Sequence, residues 1–134
     1  MGFWDKLEKS IRWRDSLLCV GLDPDPERIP GRFTSVLDFL KAIVDDTADV
    51  TCVYKPNIAF YEAMGDEGLR ALRQILDYIP WEIPILLDAK RNDISSTATA
   101  YARSVFERWG VDAVTVNPYL GRDGVEPFLA YEEW

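Results

Sequence analysis

The chain contains no histidine at all, and only two cysteines in its 134 residues. The first absence removes serine–histidine triads and imidazole general bases, and with so few thiols it removes most zinc sites as well. Basic residues are also scarce, with 15 Lys and Arg against 23 Asp and Glu for a net charge of −8, so the positive face that supplies affinity for a phosphate backbone is missing and nucleic acid is not expected as a partner. No apolar run reaches the 18 residues of a membrane span, and the charged N-terminus MGFWDKLEKSIRWRDS leaves no room for a secretory apolar core; the expectation is a cytoplasmic protein without membrane association. A G-x-G-x-x-G turn after the first apolar run is lacking too, which weakens any dinucleotide-binding reading. No low-complexity segment or linker divides the chain.

What is present is the balance of a packed α/β domain, with 48% hydrophobic and 28% charged residues. Continuous apolar runs at Leu17–Leu22, Val50–Lys55, Ile85–Lys90 and Asp112–Asn117 fit strands of a parallel sheet. Between them lie helical stripes: Phe33, Val36, Leu37, Leu40, Ile43 and Val44; Leu69, Leu72, Leu76 and Ile79; and Ala98, Ala102, Val105, Phe106 and Trp109. Ser95 or Ser96 is expected to cap the third of these helices and Gly110 to terminate it, and a further helix begins near Asp123 and runs towards Tyr131. Phe3, Trp4, Leu7 and Ile11 define one side of an N-terminal helix packed under the sheet. Cys19 and Cys52 sit inside strand runs and read as core filler.

Every strand ends on a polar residue, Asp23, Lys55, Asp88 with Lys90, or Asn117, at intervals of about thirty residues, the length of one strand–helix crossover. Such a series belongs either to an open doubly wound sheet or to part of a (β/α)8 barrel, since both carry their chemistry at the carboxyl ends of the strands. The most informative segment is LLDAKRNDI, residues 86–94, in which Asp88 and Lys90 are two apart and share a strand face. With Lys55 and Asp93 they make two ammonium and two carboxylate groups; alternating signs is a sensible way to hold ionised groups together, although solvated strand ends would read the same.

The segments SLLCVGLDPD (16–25), YKPNIAFYE (54–62), LLDAKRNDISSTATAYA (86–102) and VTVNPYLGRDGVEPFL (114–129) resemble the orotidine 5′-phosphate decarboxylase family, in particular its longer bacterial subgroup. The resemblance implies a TIM-barrel fold of which this chain, residues 1–134, supplies an incomplete domain, the N-terminal half with about four βα units. It implies decarboxylation of orotidine 5′-monophosphate to uridine 5′-monophosphate in pyrimidine biosynthesis, without metal, flavin or other cofactor. Lys55, Asp88, Lys90 and Asp93 match the family's catalytic tetrad, with Lys90 as proton donor to C6. Asp23 matches a ribose-binding position; Asn117 falls near the base; Asp93 and Thr97 match positions that cross a homodimer interface. Taken alone, Asp23 also reads as a turn residue before Pro24 and Thr97 as a surface hydroxyl. Asn92 stands where the family often has Gly, and Asn tolerates positive φ.

Two other readings stay open. A magnesium-dependent phosphosugar decarboxylase or aldolase of the same superfamily shares D-x-K-x-x-D but requires a carboxylate at the end of the second strand, where this chain has Lys55. A non-catalytic half-barrel, from a truncated gene or incomplete gene model, is the other; the chain's end at Tyr131-Glu132-Glu133-Trp134 inside an expected helix points that way. A full barrel needs ~250 residues and commonly grips phosphate after its seventh and eighth strands, so little or no activity is expected of the 134 residues alone.

Overall fold

In the computed structural model, which describes residues 2–131, four short strands alternate with helices. Strands β1 (Leu18–Leu22), β2 (Thr51–Pro56), β3 (Leu86–Arg91) and β4 (Ala113–Val116) are all parallel, β1 with β2 and β3 with β4. Parallel bridges from Tyr54 to Ile85 and from Asn57 to Asp88 join the two pairs, so the strands lie in chain order. The helices cover one face: α2 (Val36–Thr47), α4 (Gly65–Tyr78) and α5 (Ser95–Arg103), the last continuing as π-helical turns over Ser104–Trp109. Leu40 and Val44 of α2, Leu72 and Ile75 of α4, and Ala98 and Ala102 of α5 are buried against Leu22, Tyr54, Ile85 and Leu87 of the sheet side. Most of the stripes read from the sequence are this interior; Phe33, three residues before α2 begins, and Leu69 of α4 are not in it.

Alternation sorts the strand residues between this helix-covered face and a concave inward face. Tyr54 points outward, fully buried, its hydroxyl paired with Thr47 at 2.8 Å. Its neighbour Lys55, aligned with Gly21, points inward. The same rule corrects one expectation about the cysteines: Cys52 is buried as foreseen, but Cys19, aligned with Val53, lies on the uncovered inward face and is exposed.

Helix α1 (Phe3–Arg14) lies under the amino ends of the strands, held there by two polar ties. Lys6 pairs at 2.7 Å with Asp112, whose other oxygen accepts from the Ile85 amide, and Arg14 Nε donates to the Ala48 carbonyl at 2.7 Å. Phe3, Leu7 and Ile11 are half-buried around the buried Ser10, but Trp4 is 76% exposed: it sits farther round the helix from Ser10 than they do.

Three further details differ from the sequence reading. A short helix α3 (Ile58–Ala63) follows β2 before α4 begins, and no stripe had marked it. Helix α5 starts at Ser95 itself, with Ile94 in the capping position and no side-chain cap; the nearby Asp93 carboxylate instead accepts the Ile94 amide at 2.8 Å. Helix α6 (Arg122–Leu129) ends two residues before Tyr131, whose ring leaves the helix to stack on Phe106 at 4.7 Å, and Glu132–Trp134 lie outside the described residues. Gly110 closes the α5 extension at φ 70°, as its place after the stripe required.

Candidate active site

The carboxyl ends of β2, β3 and β4 bring Lys55, Asp88, Lys90 and Thr115 into one hydrogen-bonded group. Asp88 is its centre, with a side chain only 8% exposed. Lys55 Nζ donates to Asp88 Oδ2 at 2.7 Å; Lys90 Nζ donates to Oδ1 at 2.5 Å; Thr115 Oγ1 donates to Oδ1 at 2.9 Å. The two cations differ in access: the Lys55 side chain is 32% exposed and that of Lys90 67%, so the Lys90 ammonium reaches into the concave space while still anchored.

Lys90 arrives there by an unusual backbone. Its φ is +47°, a left-handed conformation that costs an L-residue with a long side chain about 1–2 kcal/mol, and the β3–β4 register breaks between Leu87 and Arg91 around it. Plain alternation therefore does not describe the pair: Asp88 and Lys90 converge through a kink. Asn92, where a positive φ would have been tolerated, does not adopt one. Asn92 instead uses its side-chain oxygen to accept the Leu120 amide at 3.0 Å, tying the exit of β3 to the turn after β4.

At the end of β1, Asp23 Oδ1 accepts the Asn57 amide at 3.0 Å, and Asn57 in turn caps α3 by accepting from the Ala59 amide at 3.1 Å. Tyr61 of α3, fully buried, donates to the Leu22 carbonyl at 2.8 Å, which fixes the strand end that carries Asp23. Burial, with a smaller contribution from the Asp23 charge, pushes the Tyr61 phenol well above its ordinary range, so it acts as a permanent donor.

The remaining sequence candidates stand apart from the Asp88 group. Asp93 is half-buried in the loop after β3, and its carboxylate is engaged by the Ile94 amide with no ion pair among the described residues. Thr97 lies half-buried on the first turn of α5. Asn117 is exposed just past β4, its amide bonded to the Arg91 carbonyl at 2.9 Å and its side chain accepting from Tyr119 at 2.9 Å, as a turn-forming Asn does.

Electrostatically the group is biased toward cation. Two ammonium groups meet one carboxylate, and the hydrogen bond from Lys55, then that from Lys90, hold the Asp88 carboxyl far below the usual carboxylate range against the opposing effect of burial. Lys55 is pushed up in return, first by its hydrogen bond to Asp88. A hard divalent cation fits this arrangement poorly: it would need oxygen ligands where the Asp88 oxygens are already taken by ammonium groups, and no cluster of three or more Asp, Glu, Cys or His side chains exists among the described residues. Thr115, Asn57 and Tyr61 were not singled out from the sequence. Thr115 is one of a run of β-branched strand residues, and only the bulge opposite reveals that its hydroxyl is used.

A family model described as Orotidine 5'-phosphate decarboxylase / HUMPS family matches residues 16–134. The chain belongs to this family. It is 49% identical over 131 residues to the orotidine 5′-phosphate decarboxylase of Herpetosiphon aurantiacus, covering 95% of this chain and 49% of that one. It is 50% identical to the bifunctional enzyme PyrF/PyrE of Nostoc sp., over 99% of this chain and 29% of the relative. Among solved structures, OMP decarboxylase from Leishmania donovani superposes with a TM-score of 0.89 at 41% identity, over 99% of this chain and 51% of that chain. The chain of this decarboxylase-family member thus spans about half the length, or less, of the curated relatives it matches, and its α/β fold matches about half of their TIM barrel.

Proposed function

We propose that this chain carries the N-terminal half of an orotidine 5′-monophosphate decarboxylase barrel and the acid–base part of its active site. The observation that carries the reading is the Lys55–Asp88–Lys90 group: a carboxylate kept ionised between two ammonium groups at the carboxyl edge of a parallel sheet, in a chain of this family. In the reaction the bond between C6 of the pyrimidine and its carboxylate breaks, the electron pair remains on C6, and carbon dioxide leaves. Lys90 then delivers an Nζ proton to C6. Its exposed ammonium is suited to that role, because it faces the concave space while Asp88 fixes its direction. Developing negative charge at C6 is met by preorganised cations, which need no reorientation during the step.

In the same reading Lys55 orients Asp88, Asp23 binds the ribose, and Asn117 lies near the base. Asp93 and Thr97 reach the neighbouring subunit's site in a cytoplasmic homodimer, which accounts for their standing apart from the Asp88 group within one chain. No metal or organic cofactor enters the chemistry. Substrate binding energy from the phosphate group is supplied by the second half of the barrel, so the 134 residues alone turn over substrate poorly or not at all.

The test is the absorbance change of orotidine 5′-monophosphate with the chain alone and with the C-terminal half of a close relative added. Turnover is expected only in the mixture, and Lys90→Ala there should lower it by at least 10²-fold, the scale of a lost general acid. Full turnover by the chain alone would overturn the division of labour; a Lys90→Ala mixture as active as wild type would overturn the proton-donor role.

A further inference from the structure

Two backbone amides next to the site lack the partner a regular parallel ladder provides. The register between β3 and β4 breaks between Leu87 and Arg91, and the Ala89 and Lys90 amides both point at Thr115 Oγ1, each at 3.0 Å. A threonine hydroxyl has two acceptor lone pairs and one proton. With both acceptor sites taken by amides, its single proton has one direction left, and it lies 2.9 Å from Asp88 Oδ1. The hydrogen-bonding capacity of this side chain is therefore filled, and filled in one sense only. Thr115 cannot accept from a protonated Asp88 without giving up an amide.

We propose that Thr115 is a positioning residue for the Asp88–Lys90 pair: its hydroxyl clamps the two amides that hold Lys90 in its left-handed conformation and, with its own proton, fixes the Asp88 oxygen to which the Lys90 ammonium is bound. The proposal rests on the decarboxylase reading for what the pair does, but the clamp itself rests only on geometry. The left-handed φ of +47° at Lys90 is the second observation. A lysine does not adopt that conformation unaided, and the elements next to it that hold it are the Thr115 hydroxyl on one side and the 2.5 Å bond from its own ammonium to Asp88 on the other. Threonine suits the position because its branched Cβ restricts χ1 within a strand, keeping the oxygen aimed across the ladder.

The experiment compares wild type, Thr115→Val and Thr115→Ser in the 134-residue chain by NMR. In wild type, the Ala89 and Lys90 amide protons should exchange slowly although no strand carbonyl receives them. Thr115→Val, nearly the same shape without the hydroxyl, should speed exchange at these two amides by about tenfold or more, the equivalent of one lost hydrogen bond, while distant β1 and β2 amides keep their rates. It should also shift the carboxyl titration of Asp88 upward, a change that loosened packing elsewhere would not produce. Thr115→Ser should restore both. Rapid exchange at Ala89 and Lys90 in wild type overturns the proposal without any variant, as does a foldable Thr115→Val with unchanged exchange and titration. In the two-part mixture, Thr115→Val should lower kcat by roughly 10²-fold, as a misplacement of about 1 Å does, with KM little changed. If the wild-type mixture turns over no substrate, the decarboxylase reading fails while the exchange and titration results still decide the clamp.

Discussion

At the residue scale, Asp88 gathers two ammonium groups and a hydroxyl on its two oxygens, with little exposure. Its low folded pKa fixes the sign of a stability effect. A carboxyl depressed by folding contributes stability that is fully present above its ordinary value of about 3.8 and is lost as pH falls through the folded value. Lys55 is the mirror case: raised by the same bond, its contribution is complete below about 10.5 and fades as pH climbs past it. Asp88→Asn should therefore destabilise the chain by about 1–3 kcal/mol at neutral pH, leaving two ammonium groups with no anion and only one acceptor oxygen between them, and the gap from wild type should shrink below pH 3.8. Urea unfolding at several pH values measures this. A gap that stays constant into strong acid would show that Asp88 is not ionised in the folded chain.

At the scale of elements, the site depends on how α3 and α4 meet. Gly68, on the first turns of α4, passes so close to α3 that a Cβ there would lie 2.1 Å from the Tyr61 carbonyl oxygen and 2.7 Å from Met64 Cβ. Backbone cannot yield as a long side chain can, so Gly68→Ala should push α3 away and cost about 1–3 kcal/mol, the overpacking range. Because Tyr61 holds the Leu22 carbonyl at the end of β1, the displacement should reach Asp23 as well. Thermal melts test the first part, and chemical-shift changes at Leu22 and Asp23 the second; a variant as stable as wild type would contradict the contact. The four strands and the longer helices were legible in the sequence because each carries a run or stripe long enough to show a period. Helix α3, with six residues, is too short for one, and its cap residue Asn57 follows directly on the strand. Lys55, Asp88 and Lys90 were legible as chemistry because charged residues at the ends of apolar strands are conspicuous. The kink at Lys90 and its clamp by Thr115 were not, since they arise from a register break between two strands and not from either strand's own pattern.

At the scale of the whole molecule, the helices bury one face of the sheet and leave the other open. Parallel sheets are normally covered on both faces, and here β1 and β4 each have a strand neighbour on one side only among the described residues. Apolar side chains cluster beside these edges: Leu17 is 81% exposed at the start of β1, and Tyr119 is 89% exposed just past β4. In the barrel half these strands correspond to, both edges and the concave face would be closed by further strands. The acidic total also takes on a spatial meaning, since within a chain of net charge −8 the Asp88 group itself sets two ammonium groups against one carboxylate. The 134-residue chain by itself should consequently self-associate as its concentration rises toward the millimolar range, through edges and an inner face built to be covered. Sedimentation or light scattering across a concentration series would show a rising mass. Adding a polypeptide with the second half of a relative's barrel should replace this with a one-to-one complex, because paired edges no longer recruit other copies. A chain that stays monomeric across that range, and ignores the second half, would mean that its open edges are protected by features of their own and that the half-barrel is a self-sufficient fold.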